Sequence, residues 1–427
     1  MKVSKISILL YFLKLRFSRM FSSHRVSRPM KKNWSKILSS SQFYREILKS
    51  NRKFPIMNKA LFMENFDSIN TVGLKKEEVL NLAFESEKTR DFSPSINNIS
   101  IGLSSGTSGN RGIFLTSKKE QAIWVGAILD RVIGFSFRRR KIAFFLRANN
   151  NLYEAAKTGL LSFTFFDLKT PIEQHIKILK ELKADILVGQ PSVLVAIAKN
   201  YQSEKIKPTF DKIISVAEVL EDDHKEFLRS IFNCPINQVY QCTEGFLAYT
   251  CKHGQLHLNE DWLEIEKKYL DSEKTRFHPV ITDYLRSSQP IVRYELNDIL
   301  HEGTTCSCGA RSTVIRKIEG RSDDVFRFFQ NEKEVIIYPD FIRRTIILAS
   351  GKITNYTATL TDERTICMYL EVEETSELPA VFKVVKFEIQ RMLSEFGVDD
   401  IDIVKIDKKQ DPMTKFTRIK NEYSKSI

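Results

Sequence analysis

Short apolar runs separated by amphipathic stretches dominate the middle of the chain. Residues 142–146, 161–166, 185–188 and 212–216 are brief hydrophobic segments of the kind that fill a doubly covered sheet. Between them, residues 172–182 and 193–199 carry apolar positions at helical spacing. This alternation predicts an α/β body with substantial parallel sheet. Upstream, residues 34–49 space their apolar positions by three and four, and residues 76–83 follow Gly73, which predicts helices. Ile99, Ile101 and Leu103 alternate with polar or small residues and predict a strand. Beyond Arg321 the pattern changes to strands at 335–337 and 357–360, a helix at 381–396 and a last strand at 402–406. A small α+β domain is expected there, with its boundary between Gly320 and Asp324. The expected organisation is a basic arm (1–33), a large domain (34–320) and a small domain (321–427).

Charge changes the picture only at the amino terminus. The first forty residues hold ten Lys or Arg and no Asp or Glu, so most of the formal net charge of +13 sits there. A nucleic-acid binder spreads basic residues over a folded face, so no nucleic-acid partner is expected. An apolar run, Ile6 to Leu13, lies among Lys2, Lys5, Lys14, Arg16 and Arg19. It is far short of the ~20 residues needed to span a bilayer, and no small-residue cleavage site follows. Leu9 and Phe12 share a side with Lys5 and Arg16, so two readings stand: peripheral contact with an anionic membrane, or a helix packed on the main body.

Six cysteines at uneven spacing make no disulfide framework, which favours a reducing, cytoplasmic setting. Cys306-Ser307-Cys308-Gly309 and Cys251-Lys252-His253-Gly254-Gln255-Leu256-His257 bring three thiols and two imidazoles into play. Three thiolates and one imidazole make a closed tetrahedral zinc shell, although a Cys-x-Cys pair is tighter than the common spacing. Cys234, Cys242 and Cys367 read as small buried residues.

After the strand at Ile99 comes Ser104-Ser105-Gly106-Thr107-Ser108-Gly109-Asn110-Arg111-Gly112. Glycines allow close backbone approach to phosphate oxygens, and hydroxyls and amides donate to them. An ordinary Gly/Ser turn between strands is the alternative. The segment lacks the Gly-Lys-Ser/Thr ending of a Walker loop, and Ile113-Phe114-Leu115-Thr116 reads as another strand.

This segment resembles the nucleotide-gripping loop of the acyl-adenylate-forming superfamily of acyl-CoA ligases, adenylation domains and luciferases. It lacks the usual proline and has Arg111 where many relatives carry lysine. Further motifs follow in that superfamily's order: Ser215-Val216-Ala217-Glu218-Val219-Leu220, Tyr240-Gln241-Cys242-Thr243-Glu244, Arg293-Tyr294-Glu295-Leu296-Asn297-Asp298 and Gly320-Arg321-Ser322-Asp323-Asp324. The resemblance implies the acyl-adenylate-forming enzyme fold, a large layered α/β N-terminal domain with a small α+β C-terminal domain. It implies that Ser104, Ser105, Gly106, Thr107, Ser108, Gly109 and Arg111 grip the β and γ phosphates of ATP. It further implies that Ala217, Glu218 and Tyr240 meet adenine, Thr243 the α phosphate, Glu244 Mg2+, and Asp298 with Arg321 the ribose. Within the superfamily the chain resembles the phenylacetate-CoA ligase branch and its deazaflavin-adenylating coenzyme synthetase-like subgroup. That branch implies structural Zn2+ on Cys251, His257, Cys306 and Cys308, with His257 preferred over His253.

Joining an anionic oxygen to an anionic α phosphate requires a cation at the meeting point. The tail Asp411-Pro412-Met413-Thr414-Lys415-Phe416-Thr417-Arg418 resembles the superfamily's catalytic-lysine segment, which implies that Lys415 supplies it, with Lys420 the runner-up. The expected activity is ATP-dependent adenylation of a small-molecule carboxylate. Onward transfer to an acceptor thiol, CoA or a carrier protein, is one alternative, and adenylyl transfer to a cofactor hydroxyl is another. The segment 326–334, where CoA ligases carry a glycine-containing loop, has no glycine. Outside enzymes, the alternative is an ATP-binding partner protein without chemistry. Trp124 and the phenylalanines of 163–166 offer the lining of an aromatic pocket, with core packing the default reading.

Overall fold

Five parallel strands, Leu161–Asp167, Arg140–Leu146, Ile186–Gly189, Lys212–Ser215 and Ile236–Gln241, lie side by side in that order. Their inward residues Ala143, Phe145, Leu187 and Ile213 are buried against Ile176 and Leu179 of helix Ile172–Leu182, Leu194 and Ile197 of Pro191–Ser203, and Leu228 and Phe232 of Asp222–Phe232. Each of these helices buries the apolar stripe that its spacing announced. The computed structural model describes residues 3–21, 25–89, 91, 93–103, 112–134, 138–146, 161–167, 170, 172–321, 324–330, 333–407 and 417–423.

At Gln241 the chain turns back, and Phe246–Thr250 pairs antiparallel to Ile236–Gln241. From there the sheet continues through Leu256–Leu258, Val314–Arg321, Asp298–Glu302, Arg276–Asp283 and Leu263–Tyr269, with Ile291–Glu295 also paired to Arg276–Asp283. The described strands thus form one twelve-stranded sheet, parallel in one half and antiparallel in the other. A separate three-stranded sheet, Ser95–Ile96, Ile99–Leu103 and Ile113–Ser117, turns at Asn97 and Asn98 with φ of 51° and 63°. Two successive left-handed residues match the twist of a two-residue hairpin, and asparagine tolerates them.

The helix expected over 34–49 is two helices, Arg28–Ser40 and Gln42–Lys49. Ser41 between them is extended; its hydroxyl accepts from the Tyr44 amide and donates to the Ser68 carbonyl at 3.1 Å, so a capping residue starts a new helix where periodicity alone suggested one.

Contact density divides the chain into two units, Met1–Leu296 with Leu300–Lys317, and Asn297–Ile299 with Ile318–Ile427. The second contains a hairpin, Phe326–Gln330 with Lys333–Ile337, and a four-stranded sheet ordered Asp402–Lys405, Thr365–Val372, Ile353–Leu360, Ile419–Asn421. Helices Pro339–Ala349 and Leu378–Glu395 complete its core through Ile342, Ile346, Val385, Ile389 and Leu393.

The amino-terminal run is a helix, Lys5–Phe21, docked on Lys118–Ile128. Ile8, Phe12 and Leu15 are buried, and a Cβ on Gly126 would meet the Phe12 backbone nitrogen at 2.8 Å, so the glycine permits the close crossing. Arg19 pairs with the buried Asp130 at 2.7 Å. No described helix is long and apolar enough to cross a membrane.

Candidate active site

Two of the sequence motifs lie at one edge of the sheet. Lys212–Ser215 and Ile236–Gln241 are adjacent and parallel, with Ser215 opposite Gln238, so Ala217 and Glu218 follow the carboxyl end of one strand, while Tyr240 lies at and Thr243 just after that of its neighbour. That edge is where open α/β sheets bind ligands, because loops there diverge and leave a crevice. The Glu218 amide donates to the Val216 carbonyl at 2.9 Å, closing a three-residue turn in which Ala217 has φ of 67°. A left-handed alanine costs roughly 1–3 kcal/mol and marks a position held by its surroundings. Ser192, in the first turn of helix Pro191–Ser203, donates to Glu218 Oε2 at 2.9 Å and fixes the carboxylate.

Thr243 and Glu244 occupy the tip of a turn closed by the Cys242 amide on the Gly245 carbonyl, 3.0 Å. Thr243 Oγ1 donates to Glu244 Oε2 at 2.8 Å. Arg286 holds this turn by donating to the Thr243 carbonyl at 3.1 Å and, through its other terminal nitrogen, to the Leu115 carbonyl at 3.3 Å. Gln289 donates to the Ile113 carbonyl and accepts from the Leu115 amide, both at 3.0 Å. Arg286 therefore ties the strand that follows the glycine-hydroxyl segment to the Thr243–Glu244 turn, and Gln289 holds the same strand while accepting from Arg286 at 3.3 Å. The strand itself pairs Ile113 with Leu103, so residues 104–112 connect two paired strands as expected. Residues 104–111 lie outside the described residues.

Gly112, Ile113, Thr243 and Glu244 line one small pocket together with Lys59, Phe62, Met63, Gln289, Ile291 and Tyr294. Burial, with the Glu244 carboxylate beside it, pushes the Tyr294 phenol far above its ordinary value. Asp283, fully buried beneath this turn, has its carboxyl pushed up to about 6 by burial, despite the Leu285 amide donating to it at 2.8 Å.

Asp298 opens the strand Asp298–Glu302 and is half-buried. The Arg321 backbone ends the strand Val314–Arg321; Ser322 and Asp323 lie outside the described residues, as does Lys415. The runner-up Lys420 sits on strand Ile419–Asn421 and pairs with Glu422 at 2.6 Å. The glycine-free segment after the domain junction is a β-hairpin with Gln330 opposite Lys333.

The sulfur and imidazole groups converge elsewhere in the antiparallel half. Cys251, His257, Cys306 and Cys308 bring their ligand atoms within 4.8 Å of one another. Cys251 and Cys306 sulfurs stand 3.8 Å apart, and Cys308 Sγ is 3.4 Å from His257 Nε2. A tetrahedron with zinc–sulfur bonds of about 2.3 Å requires sulfur separations of roughly 3.8 Å, so the spacing fits that ion. Ser312 Oγ lies 3.3 Å from His257 Nδ1, leaving Nε2 directed at the thiols. Burial and the neighbouring Cys306 and Cys251 sulfurs push the Cys308 thiol up to about 11. His253 contacts Ser307 instead, 3.4 Å from its hydroxyl.

Comparison with known structures decides the fold. A 2-hydroxyisobutyryl-CoA ligase, crystallised in its postadenylation state with 2-HIB-AMP, superimposes over 96% of this chain and 89% of its own with a TM-score of 0.61 at 14% identity. The chain has the acyl-adenylate-forming enzyme fold. No protein-family model matches the sequence of this acyl-adenylate-fold chain. Among curated proteins, it is similar to "Protein CapK" of Staphylococcus aureus, 23% identical over 224 residues. That match spans 51% of this chain and about half of the relative, 49%. It is also similar to indoleacetate–lysine synthetase of Pseudomonas savastanoi, 24% identical over 338 residues, 75% of this chain and 80% of that protein.

Sequence reasoning missed the groups that hold the site. Glu120 caps its own helix through Ser117 and accepts from the Ser287 and Ser288 amides at 2.7 and 3.0 Å, beside the Arg286 and Gln289 clamp. The Ser117-x-x-Glu120 capping box was a readable signal for the first role; the second needs the fold. Trp124, read as core, does pack with Ile8 and Phe163, and its indole also donates to Gln241 Oε1 at 3.2 Å.

Proposed function

We propose that this chain is an AMP-forming adenylating enzyme that joins a small carboxylic acid to the α phosphate of ATP and releases pyrophosphate. The observation that carries the reading is Arg286, braced by Gln289, which ties the strand after the glycine-hydroxyl segment to the Thr243–Glu244 turn beside one pocket. Residues 104–111 would grip the β and γ phosphates, with Arg111 a cationic member of that grip. Thr243 would contact the α phosphate, Ala217, Glu218 and Tyr240 the adenine, and Asp298 with Arg321 the ribose. Glu244 would hold Mg2+, which neutralises charge on the phosphates when bound.

The carboxylate oxygen attacks the α phosphorus; the new oxygen–phosphorus bond forms as the bond to the bridging oxygen breaks and its electron pair leaves with pyrophosphate. No proton moves, so the chain's task is alignment and charge compensation. Lys415 would supply the cation between carboxylate and phosphate. Both the 2-HIB-AMP ligand of one structural neighbour and the name of the indoleacetate relative support a carboxylate substrate. Phe62, Met63, Ile113 and Ile291 offer such an acid an apolar wall in the pocket. The name of that neighbour supports transfer to CoA as the acceptor step, whereas the second relative's name joins its acid to an amine.

We further propose that Cys251, His257, Cys306 and Cys308 hold one structural Zn2+, supported by the tetrahedral spacing and by Ser312 orienting the imidazole.

The test of the activity is ATP–pyrophosphate exchange across small hydroxy acids, aryl and indole acids, fatty acids, amino acids and deazaflavins. Exchange dependent on one acid class supports the reading. Nucleotide binding with no exchange for any compound makes the chain an ATP-binding protein.

A further inference from the structure

We propose that the amino-terminal helix is an interfacial anchor that lays one face on an anionic lipid bilayer while its opposite face holds the enzyme body. Helix Lys5–Phe21 buries Ile8, Phe12 and Leu15 against the domain, and that face ends in the Arg19–Asp130 ion pair. Six other large apolar residues of this helix face outward: Ile6, Leu9, Leu10, Leu13, Phe17 and Met20 are each between 38% and 73% exposed. At ~100° per residue these six fall within an arc of roughly 100°, a continuous stripe about four turns long. A solvated helix face has no reason to carry six large hydrophobes in register, and a patch of this kind marks an interaction surface.

The charges name the occupant. On the helical wheel Lys5 and Arg16 border one side of the stripe and Lys14 the other; Lys5 and Lys14 are exposed, and Arg16 leans over the Phe12 ring at 5.7 Å. Long basic side chains flanking an apolar stripe can lie along the headgroups while the stripe enters the acyl boundary. Not one acid occurs before Glu46, so nothing on the helix or its flanks repels an anionic surface. A self-associating or protein-binding face of this length would gain nothing from a rim of uniform positive charge, whereas an anionic bilayer matches both features. Because this helix packs on Lys118–Ile128, whose Trp124 donates to Gln241 in the nucleotide motif, the anchor sits on a rigid part of the catalytic body rather than on a tether.

The test is flotation of the full chain with vesicles of phosphatidylcholine alone or with phosphatidylserine, beside sedimentation velocity without lipid. The expected result is binding to the phosphatidylserine vesicles at least tenfold above neutral ones at ~0.1 M salt, weakened but not abolished by 0.5 M salt. Leu9→Gln/Leu13→Gln should lose at least tenfold in binding, and Lys5→Glu/Lys14→Glu should behave like wild type on neutral vesicles yet fail on anionic ones. All of these positions are exposed, so thermal melting should match wild type and certify folding. Equal binding of wild type and the Leu9/Leu13 variant, no preference for anionic vesicles, or a wild-type dimer that the Leu9/Leu13 variant dissolves would each overturn the proposal.

Discussion

Thr243 and Glu244, neighbours in sequence, face each other across a 2.8 Å hydrogen bond at the tip of the turn between strands Ile236–Gln241 and Phe246–Thr250. The hydroxyl proposed to meet the α phosphate thus spends its single proton on the carboxylate proposed to meet magnesium, and would turn from one to the other when ATP binds. Glu244→Gln keeps the shape and one acceptor but loses the charge. It should lower exchange by roughly 10²–10³ and raise the magnesium requirement, while Thr243→Ala should cost about 10² at most. Magnesium titrations of exchange activity check this; an unchanged magnesium dependence in Glu244→Gln would remove that residue from the metal site.

If Asp298 is the ribose ligand proposed above, Asp298→Ala should weaken ATP binding with little change in melting temperature, because the half-buried residue stands at the start of a strand and not in the core. Calorimetric titration of ATP into both proteins decides the matter, and equal affinities would move the ribose site elsewhere.

The proposed zinc site predicts about one equivalent of metal in protein purified without chelator. Cys306→Ser and Cys308→Ser should lose it together with thermal stability, since metal binding is coupled to folding. Ser312→Ala should retain the metal at ~10–100-fold lower affinity, because only the orientation of His257 is relaxed. Elemental analysis showing no zinc in the wild-type protein, or full occupancy in Cys308→Ser, counts against the assignment.

The buried carboxyl of Asp283 has a pH signature. Its value is raised from the ordinary 3.8 to about 6, so between those values the folded chain binds more protons than the unfolded one. Stability therefore falls as pH rises through this window, by at most on the order of 3 kcal/mol, and the loss is complete above about pH 6. Asp283→Asn keeps an acceptor for the Leu285 amide and should flatten that slope. Denaturant midpoints from pH 4 to 7 in both proteins give the answer; identical slopes would mean the group is ionised throughout.

Much of the fold was legible because period and burial agreed. Helix Ile172–Leu182 has the bounds that its apolar spacing gives, and four of the five strands of the parallel half coincide with apolar runs, Ile236–Gln241 being the exception. The antiparallel half from Phe246 to Arg321 was not legible, since Leu263–Tyr269 buries only its first residue and carries four charged side chains. The motif residues Ala217, Tyr240, Thr243 and Glu244 could be placed by resemblance. Arg286, Gln289 and Glu120 could not, because a side chain that serves backbone carbonyls and amides over a hundred residues away leaves no local pattern. The amino-terminal helix hid its two faces for a related reason: Phe12 belongs to the docked face and Leu9 to the exposed one, so a single-stripe reading mixes them.

Lys415 and Lys420 are separated by one pair of variants. Lys415→Ala should reduce adenylation by roughly 10²–10³ with ATP binding near normal, the mark of a group acting in the transition state. Lys420→Ala, which removes only the surface pair with Glu422, should be mild. The reverse ranking would show that the tail segment is aligned wrongly.

The most direct measurement of the central claim is incorporation of labelled pyrophosphate into ATP by the purified full chain, with magnesium, in the presence and absence of each candidate acid. The account predicts label in ATP only when an acid of the accepted class is present, and its loss in Glu244→Gln. Tight ATP binding with no acid-dependent label from any class, or label that appears equally without acid, would contradict it.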